Sequence, residues 1–284
     1  MEWSGKNILV TGGDGFIGSR LASRLRELGA DVTIASKNRR NWSNFINIDV
    51  TKPDSLDFDG YEVVFHLAAI ADPKACEENP ETALFVNSYG SLNVMDACRR
   101  SGVGRMLLSS SAHVYGIPQY TPVDERHPLK PLSTYGRSKV AAEHICMAYG
   151  ATIMRFFNIY GPGQRGNYLI PTILSNLGEK SIKLRNLNSE RDFIYVDDAV
   201  NAMLLAADFP EECFNIGSGE THTPKEIADL LSGISCKHPE LTSMNKPDNM
   251  PKLVADIGKA KKLLGWKPKV SLEEGLRKAY EGFE

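Results

Sequence analysis

The chain lacks the features that mark secreted, membrane-spanning and metal-binding proteins. Five cysteines are scattered among its 284 residues, with no C-x-x-C pair. An odd, dispersed set of this kind indicates reduced thiols rather than a disulfide framework or a zinc site. No apolar run approaches the length of a membrane span, and the N-terminal residues show no charged head followed by an apolar stretch. We therefore expect a cytoplasmic protein with no membrane partner and no metal.

The chain also lacks an excess of either charge. It carries 33 Lys and Arg against 35 Asp and Glu, a formal net charge of −2, and this balance argues against a protein that coats nucleic acid. With 42% hydrophobic residues, the chain is long enough to bury a large core. No internal repeat or low-complexity linker interrupts it.

Apolar strand-like segments alternate with helical patterns through the first half of the chain. The segments "NILVT", "DVTIAS", "EVVFHLAA", "RMLLSSS" and "TIMRFFN" are almost continuously apolar, as expected of parallel strands covered on both faces by helices. Helices are predicted over about 18–28 and 81–100, and a third is predicted to end at Gly150. This alternation predicts an α/β fold with a doubly wound parallel sheet.

The pattern loosens after Asn158, where short helices and strands follow loops. We expect residues 1–157, with 192–215 returning to it, to form a dinucleotide-binding domain. Residues 158–191 and 216–284 are expected to form a smaller, interwoven C-terminal cap that binds substrate.

Four glycines occur between the first strand and the first helix, in "TGGDGFIG". Gly12, Gly15 and Gly18 form a G-x-x-G-x-x-G pattern, in which the first glycine permits a tight turn and the second admits a pyrophosphate. The third lets the helix pack closely on the strand. Since strand and helix are both in place, the pattern predicts a Rossmann dinucleotide site. The predicted cofactor contacts here are Gly12, Gly15, Phe16, Ile17 and Gly18.

The end of the second strand lacks the acidic residue that would bind the adenosine ribose hydroxyls. "VTIASKNRR" places Ser36 there, followed by Lys37 and Arg39. A small hydroxyl with nearby cations suits a 2′-phosphate, which favours NADP over NAD. The alternative is that these cations belong to an exposed polar loop and that NAD is bound. Asp49 and Val50 are expected to flank the adenine.

Tyr135 and Lys139 are spaced i and i+4 in "TYGRSK" and so share one face of a helix. A lysine in that position can lower the pKa of the phenol and can hydrogen-bond a nicotinamide ribose. Upstream, the strand "RMLLSSS" ends in a serine run, and α/β folds place ligands at this carboxyl edge of the sheet. Together these features predict an active site.

These segments, together with several others, resemble one protein family along nearly the whole chain. The chain resembles the extended short-chain dehydrogenase/reductases, specifically the NAD-dependent epimerase/dehydratase family that acts on nucleotide sugars, and within it the UDP-glucose/UDP-galactose 4-epimerases. The matching segments are "TGGDGFIG", "VVFHLAA", "FVNSYGSLNVMDACRRSGVGRMLLSSSAHVYG", "STYGRSKVAAE", "RFFNIYGP", "RDFIYVDDAV", "FNIGSG" and "ADIGKAKKLLGWKP".

The resemblance implies roles for individual residues. Tyr135 would be the active-site base or acid, Lys139 its partner, and Ser111 the hydroxyl that bonds the reacting oxygen. Further cofactor contacts are implied for His66, Leu67, Ala68, Ala69, Asn87, Tyr135 and Lys139. Substrate contacts are implied for Ser111, His113, Tyr135, Asn158, Arg191 and Lys252. Lys252 stands where the family often has an arginine, and a lysine cannot hold a diphosphate bidentately.

Four functions remain open. A 4-epimerase of a nucleotide-diphosphate sugar is ranked first, working through a transient 4-keto sugar and a nicotinamide that is regenerated each cycle. An NADPH-dependent reductase of a 4-keto sugar nucleotide is second. A 4,6-dehydratase is disfavoured because Ala112 and His113 replace the acid pair of "TDEVYG" in those enzymes, although His113 could itself donate a proton. A non-catalytic NADP sensor is disfavoured because Tyr135 and Lys139 are both present.

The resemblance also implies the assembly. A homodimer is expected through the helices around Leu92 and Ala141. No nucleic-acid partner is expected.

Overall fold

The computed structural model describes residues 1–37, 43–244 and 252–283. These form two compact units. The first comprises Met1–Gly116, Pro128–Phe156 and Val200–Phe214, and the second comprises Ile117–His127, Phe157–Ala199 and Asn215–Glu284.

Two boundaries differ from the expected domains. Residues 117–127 group with the second unit, because Val123 pairs there with the strand region around Ala255. The chain returns to the first unit over Val200–Phe214 rather than over 192–215. The reason is that Phe193–Tyr195 pairs with Asn158–Tyr160 inside the second unit.

The first unit contains strands and helices that alternate in the predicted way. Its strands are β1 (Asn7–Thr11), β2 (Asp31–Ser36), β3 (Phe45–Asn47), β4 (Val63–His66), β5 (Arg105–Ser111) and β6 (Thr152–Phe156). Its helices are α1 (Phe16–Glu27), α2 (Pro73–Glu78), α3 (Pro80–Leu84), α4 (Gly90–Arg100) and α5 (Thr134–Ala148).

The remaining elements belong wholly or partly to the second unit. A boundary between the two units falls inside α7 and another falls inside β11. The strands are β7 (Asn158–Tyr160), β8 (Ser181–Leu184), β9 (Glu190–Arg191), β10 (Phe193–Tyr195), β11 (Cys213–Ile216), β12 (Glu240–Ser243) and β13 (Lys252–Leu253). The helices are α6 (Leu169–Asn176), α7 (Val196–Ala206), α8 (Pro224–Ser235), α9 (Gly258–Leu264) and α10 (Leu272–Glu281).

The central sheet has seven strands in the order β11-β6-β5-β4-β1-β2-β3. The pairs from β3 through β6 are all parallel. The chain winds outward from β1 first in one direction and then, from β4, in the other. The predicted doubly wound parallel sheet is therefore confirmed. In such sheets ligands bind outside the carboxyl ends of the strands where the order reverses, which here are the ends of β1 and β4.

The strands are buried as their apolar sequences predict. Every residue of β4 and β6 is buried, as are the last four residues of β1. This pattern arises because helices cover both faces of a parallel sheet. Among the described residues, no helix is long and apolar enough to span a bilayer.

The helix predicted over 81–100 is not uniform. The segment Phe85–Tyr89 between α3 and α4 is one turn of π-helix. A π turn adds a residue to the helical repeat and is often found at functional sites. The buried residue of this turn is Asn87, whose side chain bonds the backbone of Ile70 in both directions. The sequence pattern did not reveal this irregularity.

Candidate active site

The glycine loop follows β1 closely and permits no side chain at two positions. Gly12 has φ +67°, and a Cβ there would lie 2.7 Å from the backbone nitrogen of Ala68. A Cβ on Gly18 would lie 2.3 Å from the carbonyl oxygen of Gly12. Both glycines are therefore required by the turn itself and by the contact of α1 with the strand.

Gly15 is less tightly enclosed than Gly12 and Gly18. An added Cβ would meet Gly12 O at 3.2 Å, and no other described atom within 4 Å. Gly15 is the N-cap of α1, whose first turn contains no acidic side chain. The backbone N–H groups of Phe16 and Ile17 begin that turn, where amides lack helical acceptors and attract anions. These residues fit the pyrophosphate of a dinucleotide.

We expect Gly18→Ala to weaken cofactor binding strongly. Its Cβ would displace the Gly12 carbonyl, so NADH or NADPH affinity should fall by at least about tenfold, roughly 1.4 kcal/mol. Fluorescence titration of the reduced cofactor measures this. Gly104→Ala is the matched control, because its Cβ would meet Glu62 O at an ordinary 3.6 Å. Equal affinities in the two variants would contradict the assignment of the loop.

At the end of β2, Lys37 already has a protein partner. Its Nζ lies 3.1 Å from Asp49 Oδ2, and the lysine side chain is 74% exposed. Hydrogen bonds from Thr51, with a smaller contribution from Lys37, lower the pKa of Asp49. Ser36 is the last residue of β2, and the carbonyl of Val50 accepts a hydrogen bond from Asn93. Arg39 lies outside the described residues. The preference for a 2′-phosphate stays a prediction.

The N-terminus of α5 is fixed by two acceptors. The hydroxyl of Ser133, its N-cap, accepts from the backbone N–H of Gly136 at 3.1 Å. The carboxylate of Glu77, at the end of α2, accepts from the backbone N–H and the hydroxyl of Thr134, at 2.6 and 3.0 Å. These bonds set the first turn of α5, which contains Tyr135.

Tyr135 and Lys139 lie on one buried face of α5, as predicted. Lys139 Nζ donates to the carbonyl of Ser109 at 2.8 Å and lies 6.0 Å from the centroid of the Tyr135 ring. Burial lowers the pKa of Lys139 to about 8, so the ammonium still carries its charge at neutral pH. Lys139 therefore places a positive charge beside the Tyr135 ring.

The three serines that end β5 have three different bonds. The carbonyl of Ser109 accepts from Lys139, and the hydroxyl of Ser110 donates to Glu143. Ser111 accepts from the backbone N–H of His113 at 3.3 Å and caps a short 3-10 turn. Thus the serine run orients both the lysine and the helix that carries it.

His113 lies beside Tyr135, as the substrate-contact prediction requires. Its ring meets the Tyr135 ring edge-on, with centroids 5.5 Å apart. Gly136 allows this approach, since a Cβ there would lie 2.6 Å from the carbonyl oxygen of His113.

The segment after β4 forms a wall next to the glycine loop. Leu67 N–H donates to the carbonyl of Thr11 at 3.0 Å, and Ala68 N–H donates to the Thr11 hydroxyl at 3.3 Å. Ala69 follows, and Asn87 bonds the next residue, Ile70. Leu67 and Ala68 therefore lie against the end of β1, with Ala69 and Asn87 close to them, and their contact with a cofactor stays a prediction.

A buried ion pair between α5 and β6 was not predicted from the sequence. Arg155 of β6 bonds the Glu143 carboxylate through two nitrogens, at 3.0 and 2.7 Å, and the Tyr115 hydroxyl at 3.1 Å. The side chains of Arg155 and Glu143 are 6% and 1% exposed, respectively. A signal was present, because Arg155 interrupts the apolar strand "TIMRFFN" and Glu143 stands four residues after Lys139.

In the second unit, the predicted substrate contacts lie on neighbouring strands. Asn158 Nδ2 donates to the carbonyl of Asp192 at 2.7 Å, and Arg191 directly precedes Asp192. Strand β13 places Leu253 opposite Arg191 and Lys252 opposite Glu190. Asn158, Arg191 and Lys252 are thus brought into one region of this unit.

Lys252 forms an ion pair that the sequence did not predict. Its Nζ lies 2.8 Å from Glu190 Oε2, and the Thr221 hydroxyl donates to the same oxygen at 2.8 Å. The hydrogen bond from Lys252, followed by that from Thr221, lowers the pKa of Glu190. A diphosphate would compete with Glu190 for this cation.

Comparisons with known proteins identify the family. The model of the NAD dependent epimerase/dehydratase family matches residues 8–217. The chain belongs to this family. A Methanocaldococcus jannaschii protein provisionally named a UDP-glucose 4-epimerase is 34% identical, and the match covers 95% of this chain and 96% of that protein. Zebrafish (Danio rerio) UDP-glucuronic acid decarboxylase 1 is 33% identical, covering 98% of this chain and 72% of that enzyme.

A solved structure of the family has the same fold. The Thermotoga maritima UDP-glucose 4-epimerase with UDP-glucose superposes with a TM-score of 0.90 and 32% identity, covering 98% of each chain. Family membership makes this chain an enzyme of the NAD-dependent epimerase/dehydratase class, whose relatives act on nucleotide sugars.

Proposed function

We propose that this protein is a 4-epimerase of a nucleotide-diphosphate hexose. The observation that carries the proposal is the pair of Tyr135 and Lys139 on the buried face of α5, with Lys139 bonded to Ser109 at the carboxyl end of β5. It is supported by the name of the methanogen relative and by the epimerase structure that binds UDP-glucose.

The chain's own groups supply the proton chemistry. The Tyr135 oxygen takes the proton of the sugar 4-hydroxyl and later returns it, with the positive charge of Lys139 beside its ring. Ser111 donates a hydrogen bond to the reacting oxygen, so the 4-keto sugar is polarised for reduction on its other face. Gly12, Gly15 and Gly18 would hold a nicotinamide cofactor, which would supply the reversible hydride chemistry at C4.

Substrate binding is proposed for the cations and amides of the second unit. Arg191 and Lys252 would neutralise the diphosphate, and Asn158 would donate to it. His113 would bond a sugar hydroxyl close to Tyr135. We propose NADP as the preferred cofactor, with NAD as the alternative, because Ser36 ends β2 and Lys37 follows it, so that neither of these positions has the acidic side chain that would bind the ribose hydroxyls of NAD.

We also propose a homodimer. Leu84, Phe85 and Tyr89 are exposed next to α4, and the rings of Phe85 and Tyr89 stack at 5.0 Å. Met147 of α5 is 52% exposed. Apolar side chains grouped on helices in this way are typical of a protein interface, and they lie on the helices around Leu92 and Ala141.

A second candidate is decarboxylation of UDP-glucuronic acid, favoured by the vertebrate relative of that name. Oxidation at C4, with Tyr135 taking the hydroxyl proton and a bound oxidised nicotinamide as the hydride acceptor, would place a ketone β to the C6 carboxylate. The C5–C6 bond then breaks with release of CO2, and its electron pair goes to the enolate, which takes a proton. Reduction of the ketone completes the cycle.

The purified protein tests these functions directly. Incubation with UDP-galactose and no added cofactor should give UDP-glucose, and denaturation should release one oxidised nicotinamide nucleotide per chain, whose phosphorylation state identifies it. Release of CO2 from UDP-glucuronic acid would support the decarboxylase instead. An empty protein that consumes NADPH with a 4-keto sugar nucleotide would indicate the reductase.

A further inference from the structure

A histidine that has no part in the proposed chemistry lies between the end of β1 and helix α4. His66 is the last residue of β4, is 1% exposed, and stands opposite Thr11, the last residue of β1. Its Nδ1 lies 2.7 Å from the Thr11 hydroxyl, and its Nε2 lies 3.0 Å from the Ser91 hydroxyl. Both ring nitrogens are therefore bonded.

The neighbouring bonds determine which ring nitrogen carries the proton. The Ser91 hydroxyl has one hydrogen, and it donates that hydrogen to the carbonyl of Asn87 at 2.6 Å. Ser91 must then accept from His66, so Nε2 is protonated. On the other side, Nδ1 accepts from the Thr11 hydroxyl, which itself accepts from the N–H of Ala68. The side chains of Thr11, His66 and Ser91 therefore each donate one hydrogen bond and accept one.

The bonds continue from Asn87 to the catalytic tyrosine. Asn87 Nδ2 donates to the Ser138 hydroxyl at 2.9 Å, and Ser138 donates to the carbonyl of Tyr135 at 2.8 Å. The Asn87 amide also bonds Ile70 N–H and the Ile70 carbonyl. An unbroken series of bonds thus runs from the wall beside the glycine loop to the first turn of α5.

Burial keeps the His66 ring neutral and so fixes the direction of these hydrogen bonds. Burial, with a smaller contribution from the charge of Lys139, lowers the pKa of His66 to about 3. A protonated ring would lose the bond from Thr11 and would place a second cation near Lys139. The ring is therefore neutral throughout the working pH range, and the direction of the hydrogen bonds does not change.

We propose that His66 is a positioning residue. Its neutral Nε2–H form accepts from Thr11 and donates to Ser91, and these bonds connect the end of β1 to the π turn at Asn87. Through Ser138 it fixes the first turn of α5, and with it the Tyr135 oxygen. The proposal rests on the proposed function for the role of Tyr135, but the hydrogen-bond series does not depend on the substrate.

The first test is nuclear magnetic resonance of isotope-labelled imidazole nitrogens, with His66→Gln used to assign the His66 signal. We expect a ring protonated at Nε2 that does not titrate from about pH 5 to 9, a range in which free histidine does. A signal that titrates in this range, or one protonated at Nδ1, would overturn the proposal.

The second test asks whether the bonds act on Tyr135. Thr11→Val and Ser91→Ala each remove one bond of His66. Thr152→Val is the matched control, because Thr152 is a buried strand residue whose hydroxyl donates to Phe209 at 2.7 Å, outside the series. The ring signal of labelled Tyr135, assigned with Tyr135→Phe, should shift in the first two variants and stay in place in the control.

Turnover of UDP-galactose gives the kinetic readout. In Thr11→Val and Ser91→Ala we expect kcat to fall at least about tenfold while KM stays within about threefold. His66→Gln keeps an uncharged donor and acceptor and should retain more activity than His66→Leu. An unmoved Tyr135 signal, or an equal loss of kcat in Thr152→Val, would overturn the proposal. If wild type turns over no sugar nucleotide but the Tyr135 signal responds, the proposed function fails and the positioning role stands.

Discussion

Replacement of Tyr135 by phenylalanine should abolish turnover and leave the fold and the cofactor site intact. The variant removes the only atom proposed to exchange a proton with the sugar 4-hydroxyl, and loss of such a group typically costs a factor of about 100 to 10,000 in rate. The ring keeps its volume against Cys76 and Ala83 in the small apolar cluster around it. The conversion of UDP-galactose to UDP-glucose measures the effect.

The control for this variant is Tyr61→Phe, which removes the hydroxyl of a tyrosine that packs against the core of the same unit and lies outside the candidate site. It should keep full activity. Cofactor affinity should be unchanged in both variants. Residual activity of Tyr135→Phe above about a tenth of wild type would show that another group exchanges the proton, and His113 would be examined next.

Replacement of Arg155 by methionine should lower the free energy of unfolding more than any other substitution proposed for this protein. Glu143 would then be a buried carboxylate bonded by Ser110 but without its cation. Removing one partner of a buried pair typically costs about 3–5 kcal/mol. The midpoint of urea unfolding gives the change in the free energy of unfolding.

Two companion variants separate this charge effect from loss of side-chain packing. Arg105→Met changes an exposed arginine at the start of the neighbouring strand β5 and should leave stability within about 0.5 kcal/mol. Adding Glu143→Gln to Arg155→Met removes the buried charge and should restore part of the loss. A cost for Arg155→Met below about 1 kcal/mol would mean that the carboxylate finds water or another donor.

Local patterns in the chain were enough to predict the dinucleotide-binding half. The apolar strands and helices fix a parallel sheet because parallel strands must be buried on both faces. Gly18 was predictable because its need is local: a Cβ there would meet the carbonyl oxygen of Gly12. Gly12 has the positive φ of the turn, but the backbone that closes the space beside it belongs to Leu67 and Ala68. The spacing of Tyr135 and Lys139 predicted their shared face because helical geometry alone sets it.

Other predictions depended on partners distant in the chain. Lys37 and Lys252 were expected to meet phosphates, and the structure pairs them with Asp49 and Glu190. Sequence cannot distinguish a cation waiting for a ligand from one already paired. The grouping of 117–127 with the second unit depends on a pairing between Val123 and Ala255 that has no local signature.

The sequence by itself determined the family, the parallel sheet and the glycine loop, and it predicted the pair of Tyr135 and Lys139, because each follows from a short pattern with its own steric or chemical cause. Only the tertiary structure decided which side chains contact and position these elements. It placed Arg155 under Glu143, turned the helix at Asn87 into a π turn, and gave His66 a bonding partner on each ring nitrogen. These contacts join residues up to 55 positions apart, so they come from packing and hydrogen-bond satisfaction in the folded chain.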